Sequence, residues 1–394
     1  MRKAKFALAC AAVLLLGLSG ARAEGTLKIG VILPYSGQFA DAGKQLDNGI
    51  SLYVAQHGDT VAGKKIELIR KDVGGIAPDV AKRLAQELIV RDKVDILAGF
   101  LLTPNAMAAG DISEQAKKFM VVMNAATPII TTKSAYMART SMTPAMINEA
   151  FGTWAARNGI KNVYTLASDY GPGHDAEQAF HRGFKAAGGT IVGADRMPVA
   201  NPDFSAFVQR AKSADAEAIY IWVPGGAQPS AIGKALAERG INPSNTKILG
   251  QGELTGDEAL KAMGDAAIGI ITGYHYDHSH DSDLNRKFVA AYNQAYNRNP
   301  DPYSVGGYDG MHLIYEAVKK AGGKTDGPSL IAVAKGMKWE SPRGPMSIDP
   351  ETRDVVETIY IRRVEKVGGK LTNVEFAKIE NVKDPVKARM AKKQ

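Results

Sequence analysis

The chain has 394 residues, a formal charge of +8 and a single cysteine, Cys10. That length exceeds the roughly 250–300 residues at which one hydrophobic core usually divides, so two domains are expected. One thiol excludes a disulfide framework and a cysteine-built metal site, and the scattered Lys and Arg residues lack the one-sided basic face of a nucleic-acid reader.

Arg2, Lys3 and Lys5 open the chain, Phe6 to Leu18 is apolar apart from small residues, and Ala21-Arg22-Ala23 has the small-x-small spacing of a cleavage site. This pattern predicts a signal peptide over 1–23, cut after Ala23. The apolar run is shorter than the roughly 20 residues of a membrane span. Cys10 sits inside the run rather than at its end, so it is expected to leave with the leader instead of carrying a lipid. Removing Arg2, Lys3, Lys5 and Arg22 would halve the formal charge. Lys383, Lys387, Arg389, Lys392 and Lys393 read as a solvated basic tail.

From Leu27 the chain alternates strand and helix. Leu27 to Leu33 is a β-rich run closed by Pro34 and Ser36-Gly37, and helix is predicted over Asp41 to His57. Strand over Lys65 to Arg70 precedes a helix over Pro78 to Arg91, where Val80, Leu84 and Leu88 recur four apart and share a face. Asp95 to Ala98, Thr103 to Lys117 and Phe119 to Met123 continue the alternation. A second series starts after Arg139, with helix over Pro144–Asn158, strand over Val163–Ala167, helix over Gly173–Ala187 and strand over Thr190–Ala194. Phe204–Lys212, Ala218–Val223, Gln228–Arg239 and Lys247–Leu249 extend it, and strand over Ile268–Thr272 leads to a helix-rich stretch from Asp283 to Met337. Val355–Val364 and Leu371–Ile379 flank Gly368-Gly369 as a β-hairpin. Repeated strand–helix units imply parallel sheets covered on both faces, here two α/β lobes with the chain returning to the first.

Ligands of open α/β sheets bind beyond the carboxyl ends of the strands, so the loops there are the candidate site. Pro34 to Gly43 follows the first strand. Gly99-Phe100-Leu101-Leu102-Thr103-Pro104 follows the third and places Thr103 as a helix N-cap, where free N–H groups suit a carboxylate. Asn124-Ala125-Ala126-Thr127-Pro128 follows the fourth and is expected to open a helix in the same way. In the second series Ser168 to Gly173 sets Tyr170 at the rim, Trp222 to Ala227 brings glycines, and Gly250-Gln251-Gly252-Glu253 delivers one carboxylate. Neither glycine loop is a nucleotide motif: G-x-G-x-x-G and G-K-[ST] are missing from both.

Lys28-Ile29-Gly30-Val31 through Ser36-Gly37, Val122 through Thr127, Ser168 through Gly173, and Tyr308-Asp309-Gly310 together resemble the Leu/Ile/Val-binding (type I periplasmic) family of ABC importer receptors. The resemblance covers essentially the whole chain after the leader. It implies a two-lobed type I periplasmic binding protein fold, each lobe a mainly parallel sheet flanked by helices, around a hinged cleft. Lobe 1 would comprise 24–141 with 274–341, and lobe 2 would comprise 142–273 with 342–394, joined by hinge strands near Thr140–Thr143, Thr272–Tyr274 and Ser341–Gly344. It also implies a monomeric receptor in the periplasm, without cofactor or catalysis, that passes a small carboxylate solute to an inner-membrane ABC permease. Carried over by motif, Thr103, Ala125 and Thr127 hold the carboxylate, Tyr170 closes from the second lobe, Glu253 meets an ammonium, and Tyr303 covers the side-chain pocket.

Leu101 and Leu102 depart from that pattern, standing where amino-acid-binding members usually carry serines. With Phe39, Phe100, Tyr170, Trp222 and Tyr303 nearby they suit a flat aromatic acid such as a hydroxybenzoate or hydroxycinnamate. The alternative turns both leucines into the core and leaves a branched-chain amino acid as the solute. Three rivals have less support. His275, His278 and His280 with Asp277 and Asp281 fit no standard zinc spacing and are explained by a polar loop. Hydrolytic motifs such as G-x-S-x-G are absent, and Asp169 with His174 reads as a pair of helix-start polar groups. A sensory protein docking to a membrane receptor would use the same fold.

Overall fold

The computed structural model describes residues 25–200 and 203–391; the leader, its cleavage point, Cys10, Lys392 and Lys393 lie outside the described residues. The first half runs β1 (Thr26–Leu33), α1 (Ala40–His57), β2 (Thr60–Val61), β3 (Lys64–Asp72), α2 (Pro78–Val90), β4 (Ile96–Gly99), α3 (Thr103–Ala116), β5 (Phe119–Val122) and β6 (Met137–Arg139). Then come α4 (Pro144–Arg157), β7 (Asn162–Ser168), α5 (Gly171–Ala186), β8 (Thr190–Met197), α6 (Ser205–Ser213), β9 (Ala218–Trp222), α7 (Gln228–Glu238), β10 (Lys247–Gln251), α8 (Asp257–Met263) and β11 (Ile271–Tyr274). The chain ends with α9 (Asp283–Tyr296), α10 (Pro302–Lys320), α11 (Gly327–Ala334), β12 (Lys338–Ser341), β13 (Gly344–Ile348), β14 (Val355–Val367), β15 (Lys370–Val382) and α12 (Pro385–Ala391).

Among the described residues these strands form two sheets, ordered β2-β3-β1-β4-β5-β6 and β12-β13-β14-β11-β10-β9-β7-β8, with β15 added beside β14. In the first sheet β3, β1, β4, β5 and β6 are parallel. In the second, β8, β7, β9, β10 and β11 are parallel and repeat the same winding. Each sheet therefore reverses its winding once, between β1 and β4 and between β7 and β9. Such a reversal opens the crevice that ligands use.

The central strands of both sheets are buried on both faces, as parallel sheets require, whereas the edge strands β3, β8 and β15 expose one. Along β1, Leu27, Ile29, Val31 and Leu33 pack with α1, α10 and α11, whereas Ile32 joins α2 and α3 on the opposite side. Along β9, Ile219 and Ile221 pack with α6 and α7, and Ala218, Tyr220 and Trp222 with α4 and α5. The Val355–Val367 and Lys370–Val382 hairpin turns at Gly368 and Gly369, both with positive φ (56° and 82°), the backbone a tight two-residue turn demands.

Some elements differ from the expectation. The segment after β5 forms only a five-residue 3-10 turn, Pro128–Thr132. β11 begins at Ile271, and the short strands β2, β6, β12 and β13 carry too few residues for a recognisable alternation. The basic tail is not simply solvated: Lys383 pairs with Asp349, Lys387 with Asp354, and Arg389 binds Glu149 of α4 through two 2.8 Å bonds.

The chain passes between the sheets after β6, after β11 and through β12–β13. Arg343, in the β12–β13 turn, touches all three passages. It donates to Thr140 O, to His275 Nδ1 at 2.6 Å, to Glu357 Oε2 at 2.9 Å and to Asp309 Oδ2 of α10 at 2.8 Å. All five residues are buried.

Candidate ligand-binding site

The loop after β4 turns at Phe100, whose φ of 65° is left-handed, a strained conformation for a bulky residue that costs about 1 kcal/mol or more. The turn is pinned from both sides. Phe100 N–H donates to Ile32 O and Phe100 O accepts from Ala125 N–H, each at 2.9 Å. Asn124 Nδ2 donates to Leu101 O at 2.8 Å, so the loops after β4 and β5 are stitched together. Arg139, wholly buried and paired with Asp354, holds the second loop from behind by donating to Thr127 O at 2.9 Å and Ala125 O at 3.2 Å.

Thr103 and Thr127 face each other across these loops, Oγ1 to Oγ1, at 3.4 Å, and Thr127 N–H lies 3.4 Å from Thr103 Oγ1. Bonds that long are weak, so both hydroxyls can turn toward a stronger acceptor. Thr103 is not the N-cap of α3: Leu102 is, because its carbonyl accepts the first helical bond, from Ala106 N–H. Thr103 lies one residue inside, among the first-turn N–H groups that a helix leaves unpaired.

These loops form one wall of a cavity. Phe39, Ala42, Leu101, Leu102, Thr103, Asn124, Ala126, Met142 and Tyr303 face Tyr170, Pro172, Trp222, Pro224, Gly225 and Glu253. Both walls stand at the winding reversals, after β1 and β4 on one side and after β7 and β9 on the other. The lobes meet closely: Tyr303 Oη lies against Gly225, Thr127 Oγ1 against Gly171, and Gln38 O against Gly226. The enclosed space is about 50 Å³. A cavity that takes benzene holds about 150 Å³. A ring enters here only with the walls parted.

Thr103, Leu102, Phe39, Tyr170, Trp222, Glu253 and Tyr303 thus line one cavity, and Leu101 lines it too, although Leu101 and Leu102 also pack into the hydrophobic core of this lobe. Thr127 stands just behind Thr103. Ala125 is not brought in: its N–H is taken by Phe100 O, and the next residue, Ala126, lines the cavity. Ala126 and Asn124 lie in the loop singled out from sequence, as Pro224 and Gly225 do in theirs. Met142 carried no sequence signal, since only the passage after β6 brings it here.

The second wall is aromatic and acidic. Tyr170 and Trp222 rings lie 5.8 Å apart, and Trp222 Nε1 is buried with no protein acceptor among the described residues. Burial raises the pKa of Glu253 and those of the Tyr170 and Tyr303 hydroxyls, which stay protonated. Asp175 of α5 lies near Thr127, and burial raises its pKa as well.

The three histidines of the 275–281 loop bond in different directions. His275 accepts from Arg343, His278 lies 3.1 Å from Asp257, and His280 lies 3.0 Å from Glu375. His174 and Asp169 form a 2.7 Å pair at the start of α5. A larger groove of about 380 Å³ lies between α4 and the end of β15, lined by Glu149, Trp154 and Lys383 among others. It is open to solvent and belongs to one lobe, and its Glu149 is already bound by Arg389, so the enclosed cleft is the better site.

A family model described as periplasmic binding protein matches residues 26–370. "Leu/Ile/Val-binding protein homolog 6" of Brucella abortus (strain 2308) is 44% identical over 385 residues, covering 97% of this chain and 98% of that one. A solute binding protein of an ABC transporter from Rhodopseudomonas palustris BisB5, solved with 3,4-dihydroxybenzoic acid, is 55% identical with a TM-score of 0.88, covering 92% of this chain and 99% of its own. A second, from R. palustris HaA2 and solved with p-hydroxybenzoic acid, is 42% identical with a TM-score of 0.89, covering 92% and 100%.

Proposed function

We propose a function from one established premise: the chain belongs to the periplasmic binding protein family, with the two-lobed α/β fold of its type I members. It is the solute receptor of an ABC importer, and its solute is a small aromatic acid of the benzoate or hydroxybenzoate type. The carrying observation is the cleft itself, where hydroxyl and N–H donors at Thr103, Thr127 and Ala126 adjoin Leu101, Leu102, Phe39, Tyr170, Trp222 and Tyr303. The donors suit a carboxylate, and the flat apolar walls suit a ring. The solved relatives with hydroxybenzoates support the same reading.

In this proposal lobe 1 is 24–141 with 274–341, lobe 2 is 142–273 with 342–394, and hinging occurs at Thr140–Thr143, Thr272–Tyr274 and Ser341–Gly344. The solute loads between parted lobes and is enclosed by Tyr170 and Trp222 without being chemically changed. The leader is removed after Ala23, and the mature monomer works in the periplasm, docking transiently on an inner-membrane permease. No helix among the described residues is long and apolar enough to cross a membrane.

A thermal-shift series with benzoate, 4-hydroxybenzoate, coumarate, leucine, isoleucine and valine tests the solute class. A ligand at 100 times its Kd adds about 2.7 kcal/mol to the folded state. Aromatic acids are expected to raise Tm and the aliphatic amino acids to leave it unchanged; the reverse pattern would refute the aromatic reading. Thr127→Val is expected to weaken aromatic-acid binding by about 10- to 150-fold, the worth of one hydrogen bond to a charged group, with little change in Tm of the free protein. Unchanged affinity in that variant would remove Thr127 from the carboxylate grip.

A further inference from the structure

This inference rests on the aromatic-acid reading and deepens it. Glu253 is the one charged side chain among the described residues lining the cleft, and Arg362, the cation whose charge reaches it, is paired with Asp277 at 3.0 Å. What it meets instead is the Tyr274 hydroxyl beside it and a buried chain of neutral groups. Asn148 Nδ2 donates to the main-chain O of Pro144 at 2.8 Å. A carbonyl can only accept, so this bond settles which end of the amide is nitrogen. The same Nδ2 donates to Gln251 Oε1 at 2.5 Å, and Asn148 Oδ1 accepts the Tyr220 hydroxyl at 2.6 Å. Gln251 must then turn its own nitrogen outward, and Nε2 donates to Glu253 Oε2 at 2.8 Å. Tyr220, Asn148 and Gln251 are all buried, so solvent cannot scramble the order.

The chain runs donor to acceptor from the Tyr220 hydroxyl to Glu253 Oε2, which ends it in the cleft wall. We propose that Glu253 receives a ring hydroxyl of the bound aromatic acid, and that Asn148 and Gln251 position it, so that the receptor selects hydroxylated over plain benzoates. A wall built to accept a hydroxyl penalises the analogue that lacks one, because in the closed cleft the carboxyl then lacks the water it gave up as well as that donor.

Titration calorimetry on the mature protein with benzoate, 4-hydroxybenzoate, 3,4-dihydroxybenzoate and leucine tests this. The wild type is expected to bind at least one hydroxylated acid about 10- to 150-fold tighter than benzoate. Glu253→Met should bring that ratio close to one while benzoate still binds, which also shows that the variant is folded. Gln251→Leu leaves Asn148 its Pro144 acceptor and should lower the ratio without weakening benzoate, an effect that a purely structural role would not produce. Equal affinities for benzoate and both hydroxylated acids in the wild type, or an unchanged ratio in Glu253→Met, would overturn the proposal and leave the aromatic reading standing. Binding of leucine and of no aromatic acid would overturn both, and loss of leucine in Glu253→Met would then give the carboxylate to an ammonium.

Discussion

Gly225→Ala is expected to weaken 4-hydroxybenzoate binding by about 5- to 150-fold, corresponding to the roughly 1–3 kcal/mol of an overpacked contact. A Cβ at Gly225 would stand 2.0 Å from Tyr303 Oη and 3.1 Å from its ring carbon Cζ, and this contact joins the two walls of the cleft. The free protein avoids the clash by staying open, so the cost appears in binding and not in folding: apparent affinity falls with the fraction of molecules able to close. Tyr303→Phe in the same chain removes the clashing oxygen and should recover most of the affinity. Calorimetry on both single variants and the double variant reads the coupling. Losses that simply add would mean that Tyr303 and Gly225 do not meet in the bound state.

Arg343→Met is expected to lower the unfolding free energy by about 3–5 kcal/mol, because it leaves the buried carboxyls of Asp309 and Glu357 without their shared cation. His275 does not replace it: burial, and then the neighbouring Arg343, push its pKa well below the ordinary value, so it stays neutral and accepts. Burial raises Glu357 from 4.5 to about 7 in spite of Arg343. Between those values the folded chain holds a proton that the unfolded chain has released, so this group's contribution to stability is present at the acid end and declines as pH rises toward 7. Glu357→Gln should flatten that decline. Urea unfolding of the wild type and both variants across this window checks both statements; a wild-type stability that rises with pH there, with Glu357→Gln rising in parallel, would contradict the assignment.

Much of the frame was legible because it depends on local patterns. Leu27–Leu33 reads as a strand from its apolar run, Pro78–Arg91 as a helix from its four-residue spacing, and Gly368-Gly369 as a hairpin turn from the positive φ that glycine tolerates. The rule that sites follow strands then led to Thr103, Tyr170, Trp222 and Glu253 without any knowledge of distances. It was less exact where one residue matters. Thr103 was expected as a cap and lies one position inside, and Ala125 was expected in the cleft where Ala126 stands, because the left-handed turn at Phe100 claims the Ala125 N–H.

By itself, the sequence determined the alternation of strands and helices, the loops that carry the site and the departure at Leu101 and Leu102, since each follows from residue chemistry over a few neighbouring positions. Only the tertiary structure decided that those leucines reach both core and cleft, that Met142 joins the cleft, that Arg343 binds three chain passages, and that the Asn148 amide aims Gln251 at Glu253. These contacts join residues far apart in sequence: Arg343 and Thr140 are 203 positions apart, and Asn148 and Gln251 are 103 apart. Short-range periodicity carries no record of such meetings, because they arise only when two separately wound sheets are brought face to face.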